Sequence, residues 1–354
     1  DLDGTTRSPK LSDLIKADKL YEANERFNIN GGIPCTPVDV PAEQIMVFQE
    51  YVGLMLSGKV PPDFCGSYET VEACYDLLAA SFGCTKEELA ERPRILSGVN
   101  VNSPLWLDYD MTETLFTALK YRQPCYIAPA SMAGTTSPVT VAGTIVQTNA
   151  EVIATIALAQ MYAPGAPVLY GSQSASADMQ SLAIATGSPE SALCYRYAGI
   201  MGRFYHIPVR AGGLMTDAKK LDAQAGYESM LTYLACRQND VDVVLQGAGF
   251  TDAYLGFSFE KMISDFEVVD FADRYCEDIT VNDETVPFET MAEVGHDGSF
   301  MMSEHTLENC REALLVPRVS TRGSKGPHAF EAAIASQVDE AIAATAVFRT
   351  LEGI

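Results

Sequence analysis

The sequence predicts an α/β fold, and more closely a (β/α)8 TIM-type barrel, from three observations. Short runs rich in β-forming residues alternate with longer amphipathic runs along most of the 354 residues. The connections between these runs are short, which favours a barrel over an open doubly wound sheet. Apolar residues make up 47% of the chain, enough to bury a substantial core.

Seven short runs have the composition of buried strands. They lie at residues 26–29, 60–65, 94–101, 124–128, 167–170, 207–210 and 241–246. Because an eight-stranded barrel needs one strand more, we expect the first strand to lie upstream of Asp1. An open parallel sheet is the alternative.

Seven amphipathic runs are expected to form the helices around these strands. They cover residues 12–25, 42–56, 70–82, 112–121, 140–161, 189–205 and 222–237. Ser12 and Ser188 are the expected N-caps of the first and the sixth helix, and Pro189 occupies the first helical position after Ser188.

The segment from residue 257 onward is acidic, less periodic, and ends in an alanine-rich helix predicted over residues 330–351. We therefore divide the chain into residues 1–256, a barrel that is incomplete at its N-terminus, and residues 257–354. The second part is expected to be a C-terminal extension that packs on the barrel and makes oligomer contacts.

Charge and cysteine usage argue against several classes of protein. The chain has 47 acidic and 24 basic residues, a net charge of −23, so it lacks the electropositive surface that binds nucleic acid or an anionic membrane. A small cation or a basic protein patch is a better partner. The nine cysteines form no CxxC pair, which is typical of a reduced cytoplasmic chain. No export signal or membrane span is predicted.

Glycine and small polar residues are concentrated in the loops that follow the predicted strands. A glycine in any one of these loops often serves only a tight turn. Several such loops at the same end of a barrel favour a shared ligand pocket. The loops are residues 30–34, 102–105, 129–134, 171–173, 210–213 and 246–250, and the expected lining residues are Asn102, Ser131, Gln173, Arg210, Gly212, Gly213 and Gln246.

No metal site is expected from the sequence. The four histidines show no HExxH spacing and have no cysteine cluster near them. Paired acids such as Asp108 and Asp110 are interpreted as helix caps or solvent-facing groups. The residues taken alone indicate a barrel enzyme with a polar, glycine-lined pocket and leave the reaction open.

Several stretches of the chain resemble the trimethylamine methyltransferase family. They include NSPL at 102–105, MAGTTSPVTVAG at 132–143, PGAPVLYG at 164–171, GGLMTDAK at 212–219 and DAQAGYE at 222–228. The resemblance is strong from about residue 103 to residue 265 and weaker elsewhere. It implies a barrel, a homo-oligomer, and methyl transfer to a cognate corrinoid protein that carries the cobalamin, so no tightly bound cofactor is expected.

One departure from the family concerns the substrate. The trimethylamine enzymes carry pyrrolysine, whereas this sequence has only standard residues, and it is therefore similar to the non-pyrrolysine branch that demethylates quaternary amines such as glycine betaine. A quaternary amine leaves as a neutral amine when cob(I)alamin attacks its methyl group, so no catalytic residue is expected. The protein would only orient the methyl group and exclude water.

The resemblance also directs attention to residues that would hold a betaine. A loose aromatic box suits the cationic head, and its candidates are Trp106, Tyr109, Phe250 and Tyr254, although each also suits core packing. Arg210 is the candidate for the carboxylate, with a salt bridge at the barrel mouth as its alternative role. Three other functions are left open: a trimethylamine:corrinoid methyltransferase, a barrel enzyme for an anionic substrate, and a non-catalytic betaine-binding protein.

Overall fold

Short strands joined by helices form a mixed α/β fold in the computed structural model, which describes residues 4–30 and 34–344. In chain order the strands are Ser97–Val99 (β1), Cys125–Ile127 (β2), Met132–Ala133 (β3), Val168–Ser172 (β4), Ala175–Ala177 (β5), Ile184–Ala185 (β6), Val209–Ala211 (β7), Val243–Val244 (β8), Phe250–Thr251 (β9) and Gly256–Phe257 (β10).

The helices follow the predicted pattern closely. They are Leu11–Ala23 (α1), Ile45–Leu56 (α2), Tyr68–Phe82 (α3), Tyr109–Lys120 (α4), Val141–Tyr162 (α5), Pro189–Tyr205 (α6), Ala223–Arg237 (α7), Phe259–Cys276 (α8), Phe288–Val294 (α9), Glu304–Asn309 (α10) and Ala329–Ala344 (α11), with 3-10 turns at Ala42–Gln44, Glu88–Glu91, Asp252–Tyr254 and Phe300–Met302. Each of the seven helices predicted before residue 257 is present.

The two predicted N-caps have different outcomes. Ser188 caps α6 as expected, because its side chain accepts a hydrogen bond from the backbone N–H of Ser191 at 3.2 Å. Ser12 is not a cap, and this prediction was wrong. The helix starts earlier because Asp13 accepts a hydrogen bond from the backbone N–H of Lys10 at 2.8 Å and closes the first turn there.

Five strands form a parallel sheet in the order β1-β2-β4-β7-β8. Cys125 pairs with both Ser97 and Val168, and Arg210 pairs with Val243. Each crossover passes through a helix, α4, α5, α6 or α7 in turn, as parallel neighbours require. These are the last five of the seven strands that the sequence predicts.

The first two predicted strands, residues 26–29 and 60–65, are reduced to a single parallel bridge between Ile29 and Val60. The bridge is held by Asn30 N–H donating to Val60 O at 2.8 Å. Pro61 and Pro62 follow immediately and have no N–H to donate, so the ladder cannot continue.

The sheet curls around an apolar interior. Tyr126, Leu169 and Val243 pack there with Leu245 from beyond β8 and with Ile29 from the bridge. The opposite side of the sheet packs on the helices. Within residues 4–30 and 34–344 the hydrogen-bonded strands do not close into a ring, so the complete eight-stranded barrel of the prediction is not observed.

Two small sheets are not predicted by the sequence. The strands β3, β5 and β6 form one, and the β9–β10 hairpin forms the other. Strands of two or three residues carry too little alternation to be recognised. Both sheets lie in the loops beyond the carboxyl ends of the main strands, so they shape the end of the sheet where a pocket is expected.

Helix α5 is apolar enough and long enough to cross a membrane by composition alone, with a mean hydropathy of 1.3. In the structure it packs between α4 and α6. Its buried residues include Thr144, Thr148 and Glu151, whose side chains are hydrogen-bonded within the protein. This pattern fits a helix that packs inside a folded chain.

The segment after residue 257 packs on the rest of the chain. Helix α8 lies against α7, and α11 lies against α1 and α8. Glu267 of α8 accepts hydrogen bonds from the backbone N–H groups of Arg318, Val319 and Ser320 at 2.6–2.8 Å. The predicted helix at 330–351 is observed as Ala329–Ala344, and its last seven residues lie outside the described residues.

Candidate active site

Arg210 is buried at the carboxyl end of β7, with 1% of its surface exposed. Its guanidinium donates to Gln173 Oε1 at 2.5 Å and to Gln246 Oε1 at 2.9 Å, and lies 5.0 Å from the centre of the Tyr126 ring. These partners are all neutral, and Arg210 Nε has no hydrogen-bond partner in the described part of the chain. Because a buried cation without a counter-charge is unfavourable, the arrangement favours the binding of an anion nearby.

A series of hydrogen bonds extends from Arg210 through Gln173 to two tyrosines. Gln173 Nε2 donates to the Tyr195 hydroxyl at 3.2 Å and also to the Tyr254 hydroxyl. Burial raises the pKa of both phenols, so both remain protonated and neutral. These hydrogen bonds therefore connect four of the predicted site residues, Gln246, Arg210, Gln173 and Tyr254.

The loop after β8 has an unusual backbone. Gln246, Asp252, Ala253 and Tyr254 have φ values of 60°, 51°, 49° and 76°. Positive φ is uncommon for residues other than glycine, and a strained residue costs on the order of 1–3 kcal/mol unless its surroundings hold it. Strain of this kind collects at ligand sites, which supports a binding role for the loop.

Helix α8 is hydrogen-bonded to this loop and to the loop after β7. Lys261 Nζ donates to Asp265 Oδ2 at 2.5 Å and to Leu214 O at 3.0 Å, while the Gly249 N–H donates to Asp265 Oδ2 at 2.8 Å. Both charged side chains are buried, with exposures of 0% and 2%. One ion pair therefore fixes the loop after β7 and the loop after β8 together.

A cavity of about 410 Å³ lies beside these loops. Its volume is in the range of small-molecule sites. Phe250 and Tyr254, two of the predicted binding residues, line it, whereas Arg210 and Gln173 lie behind Tyr254. The lining is Gly4, Thr5, Thr6, Arg7, Pro9, Asp13, Pro34, Cys35, Thr36, Lys219, Lys220, Phe250, Thr251, Tyr254, Leu255, Gly256, Phe257, Ser258, Phe259 and Glu260.

Four of these lining residues form an aromatic wall, Phe250, Tyr254, Phe257 and Phe259. The centroid of Phe250 lies 5.5 Å from both Tyr254 and Phe257, and Phe257 lies 5.7 Å from Phe259, all in edge-on contacts. Lys16 Nζ lies 4.3 Å from the centre of the Phe259 ring, so this wall already attracts one cation. Phe257 and Phe259 are not among the residues that the sequence analysis selects.

Other predicted site residues lie in a separate network. Ser131 Oγ and Ser103 Oγ donate to Glu151 Oε2 at 3.0 and 2.9 Å. Asn102 Nδ2 donates to Asp108 Oδ2 at 2.7 Å, and Asp108 is the N-cap of α4 as predicted. None of these side chains lines the cavity. The structure gives them the role of fixing loops after β1 and β2.

The two aromatic residues predicted near α4 are on the surface. Trp106 and Tyr109 are 66% and 68% exposed, and neither lines the cavity. The backbone of Trp106 pairs with that of Asn102 in a tight loop, which turns the indole away from the sheet interior.

Gly212 and Gly213 serve packing behind the site. A Cβ on Gly212 would collide with the Gln173 amide, and one on Gly213 would lie 2.7 Å from Val244 Cγ1. These glycines therefore allow Gln173 and β8 to approach β7, which is a different role from the direct ligand contact that the sequence suggested.

Two walls of the cavity are not predicted. Residues 4–9 and 34–36 form one, and Lys219 and Lys220 form part of another. Lys219 pairs with Asp252, whereas no ion pair in the described residues includes Lys220. The two lysines directly follow the loop after β7, so their position after a predicted strand is the signal that could have found them.

The described part of the chain contains no group of three or more His, Cys, Asp or Glu side chains placed to hold a metal ion. The side chains around the cavity and behind it are aromatic rings, amides and basic groups, together with the carboxylates of Asp13 and Glu260. The site can hold a small molecule with a cationic and an anionic end.

A ligand cavity beyond the carboxyl ends of parallel strands is the arrangement of α/β enzymes that act on small molecules. Residues 1–326 match the family model for trimethylamine methyltransferase (MTTB), and the chain belongs to this family.

Three relatives illustrate the similarity. The chain is 36% identical over 327 residues to the glycine betaine methyltransferase of Desulfitobacterium hafniense (strain Y51), and the aligned region covers 92% of this chain and 67% of that protein. It is 31% identical over 339 residues to the proline betaine:corrinoid methyltransferase of Eubacterium limosum, covering 92% and 68%. It is 32% identical over 238 residues to a trimethylamine methyltransferase of Methanosarcina mazei, covering 67% and 48%. The chain thus spans about two thirds of the betaine enzymes and about half of the trimethylamine enzyme.

Proposed function

We propose that the protein transfers a methyl group from a quaternary amine, glycine betaine or a related betaine, to the cob(I)alamin of a cognate corrinoid protein. Two relatives that match 92% of the chain are named for betaines, and one of them is named for a corrinoid acceptor. The absence of pyrrolysine from the sequence is consistent with a quaternary amine.

The observation that carries the proposal is the pairing of an aromatic-walled cavity with a buried guanidinium behind Tyr254. The trimethylammonium head would lie against Phe250, Phe257 and Phe259. The carboxylate would point towards Tyr254 and Gln173, where Arg210 supplies a positive potential that is strong because the surroundings are buried. Lys220 is a second candidate for the carboxylate.

The chemistry places few demands on the protein. Displacement of a neutral amine needs no proton donor, so the residues would act by holding the substrate, aiming one methyl group out of the cavity and excluding water. The positive charge on the amine disappears as the methyl group leaves, so an aromatic wall that holds the cation only loosely avoids favouring the bound substrate over the transition state.

We also propose that the curled sheet is part of a (β/α)8 barrel in which the Ile29–Val60 bridge marks the first two strands of this chain. Residues 1–256 would form the barrel and residues 257–354 an extension that takes part in homo-oligomer contacts. A cytoplasmic location agrees with nine free cysteines, since such chains are usually kept in a reducing compartment.

The test is a methylation assay in which cob(I)alamin on the cognate corrinoid protein is converted to methylcobalamin. Glycine betaine, proline betaine, carnitine and trimethylamine would be supplied separately and the change in absorbance followed. We expect turnover with a betaine and none with trimethylamine. Turnover with trimethylamine alone would establish the other activity of the family, and betaine binding without methylation would indicate a storage or sensing protein.

A further inference from the structure

A second group of polar side chains is buried between α1 and α2. It consists of Asp18, Asn30, Gln49 and Glu50, each at most 5% exposed, and we call it the polar chamber. Its unpartnered atoms are Asp18 Oδ2, Asn30 Nδ2, Gln49 Oε1 and both carboxylate oxygens of Glu50. Among the described residues six buried side-chain atoms lack a hydrogen-bond partner, and five of the six are these.

Asn30 connects the polar chamber to α2. Asn30 Nδ2 lies 3.5 Å from the position of a Cβ on Gly53, which is three residues after Glu50 and four after Gln49 on α2. Residues at these spacings share one face of a helix, so Asn30 lies over the face that carries Gln49 and Glu50. Burial, and after it the charges of Asp63 and of Asp18, raise the pKa of Glu50 well above its ordinary value, so Asp18 lies near Glu50.

The free atoms define the kind of ligand. Four of the five are oxygen acceptors and one is a donor, and no ion pair in the described residues joins a basic side chain to Asp18 or Glu50. Each buried group left unsatisfied costs about 1–3 kcal/mol, so an occupant is strongly favoured. Oxygen-only sets bind hard cations. The chamber holds two carboxylates, and no group of three acidic ligands is found in the described chain, which favours a single positive charge over a divalent ion.

We propose that the polar chamber binds one monovalent metal cation, K⁺ or Na⁺, through oxygens of Asp18, Gln49 and Glu50. The ion offsets one negative charge of the Asp18–Glu50 pair, of which one carboxyl keeps its proton because burial raises the pKa of both, and it joins α1 to α2. Gln49 Nε2 also donates to the Cys35 carbonyl at 3.4 Å, and Cys35 lines the cavity, so the ion supports that wall. The proposal does not depend on the proposed methyl transfer, because the binding is measured without substrate or corrinoid protein.

The direct experiment is equilibrium dialysis of the full chain against radioactive Rb⁺, a substitute for K⁺, and against radioactive Na⁺, in a buffer of N-methylglucamine chloride. We expect saturable binding of about one ion per chain for at least one of the two. The absence of saturable binding of both ions to the unmodified protein would overturn the proposal, whatever the variants do.

The second experiment separates the chamber from ordinary salt effects. Replacing N-methylglucamine chloride by KCl or NaCl at constant ionic strength should raise the melting temperature by roughly 2–4 °C. Glu50→Gln and Asp18→Asn should each abolish that rise, while the exposed Glu43→Gln, close to Gln49 on the same segment, should retain it. A rise that persists in both chamber variants would assign the ion to another site and refute the proposal.

Discussion

Arg210 and Asp18 are both buried ionisable side chains, and each lacks the partner that such a group usually has. Arg210 has only neutral partners, and one oxygen of Asp18 has none. Burial raises the pKa of Asp18 to about 7. Replacing either residue should therefore have a measurable effect, on substrate binding for Arg210 and on the pH dependence of stability for Asp18.

Replacing Arg210 by methionine tests its part in substrate binding. The change removes a buried charge and keeps a side chain of similar length, so KM for a betaine should rise roughly 10- to 100-fold, the equivalent of about 1.5–3 kcal/mol. Choline or tetramethylammonium, which have no carboxylate, should be almost unaffected. Steady-state kinetics with both kinds of substrate make the comparison.

Two further variants sharpen that comparison. Lys220→Met tests the basic residue of the cavity lining that forms no ion pair within the described residues, and the exposed Arg203→Met is a matched control on α6. If Arg210→Met reduces kcat/KM equally for betaine and for carboxylate-free cations, Arg210 supports the fold and the carboxylate is bound elsewhere.

Asp18 predicts a pH-dependent stability. The pKa of its carboxyl in the folded chain, about 7, is above the value in the unfolded chain, so its contribution is fully present below about pH 4 and is lost as the pH rises through 7. Without added K⁺ or Na⁺, Asp18→Asn should therefore gain stability relative to the unmodified protein between pH 5 and pH 8, by up to roughly 4 kcal/mol. Urea unfolding at several pH values measures it, and parallel pH profiles for the two proteins would contradict the prediction.

Some of the individual residues of the candidate site can be predicted from the sequence. Residues in the last part of a strand or just beyond it, such as Arg210, Gln173 and Gln246, are brought together because parallel strands end at one edge. Trp106 and Tyr109 are not, because the local loop around Asn102 decides where they point. Asp18 and Glu50 are missed because an acidic residue on an amphipathic helix usually faces solvent.

Among the elements, α8 has the most influence on the site. It begins directly after the β9–β10 hairpin, and its Lys261–Asp265 pair is bonded to the loops after both β7 and β8. A helix whose buried face carries an ion pair is difficult to recognise in a sequence, where the same pair at i and i+4 is typical of an exposed surface.

Lys261→Met should destabilise the protein by about 3–5 kcal/mol, because it leaves the Asp265 carboxylate buried without its cation. The Lys261→Met, Asp265→Asn double variant should be less destabilised than the sum of the single variants. Denaturant unfolding gives the four free energies. The control is Arg274→Met, which removes an exposed ion pair between Arg274 of α8 and Glu277 and should change stability by less than about 1 kcal/mol. If Arg274→Met destabilises the protein as much as Lys261→Met does, burial of the Lys261–Asp265 pair is not the cause of the loss.

The elements themselves are predicted unevenly. Helices of twelve or more residues have enough repeats of their apolar positions to be recognised, and the five paired strands are followed by loops of glycine, proline and small polar residues. The strands predicted at residues 26–29 and 60–65 are too long, because two prolines end their pairing after the Ile29–Val60 bridge. The strands β9 and β10 are too short to show alternation. The curl of the five-stranded sheet depends on contacts between distant segments, which no local pattern encodes.

For the whole molecule, a net charge of −23 is the dominant electrostatic property. A corrinoid partner with a basic docking patch would be attracted over distances of about 10 Å at low ionic strength, and salt would weaken that attraction. The acidic composition thus bears on association with the partner more than on the fold itself.

We therefore expect the rate of methylation at limiting corrinoid protein to fall several-fold between about 50 mM and about 500 mM N-methylglucamine chloride, because the Debye length falls over this interval from above roughly 10 Å to well below it. The rate at saturating corrinoid protein should change little, because salt affects the encounter and not the reaction. Initial rates at both concentrations of the partner provide the measurement. A rate that is independent of salt would indicate that the partner docks through apolar contacts.

The cavity has two kinds of wall, and they differ in how freely they can evolve. The aromatic wall runs from β9 to the start of α8, and buried bonds of α8 hold this region, so a substitution there disturbs the fold as well. Residues 4–9 face the same cavity but belong to an exposed segment with no helix or strand. New substrate preferences can therefore arise by mutation of this segment while the scaffold is left intact, which makes residues 4–9 the natural place to diversify in a library selected for other quaternary amines.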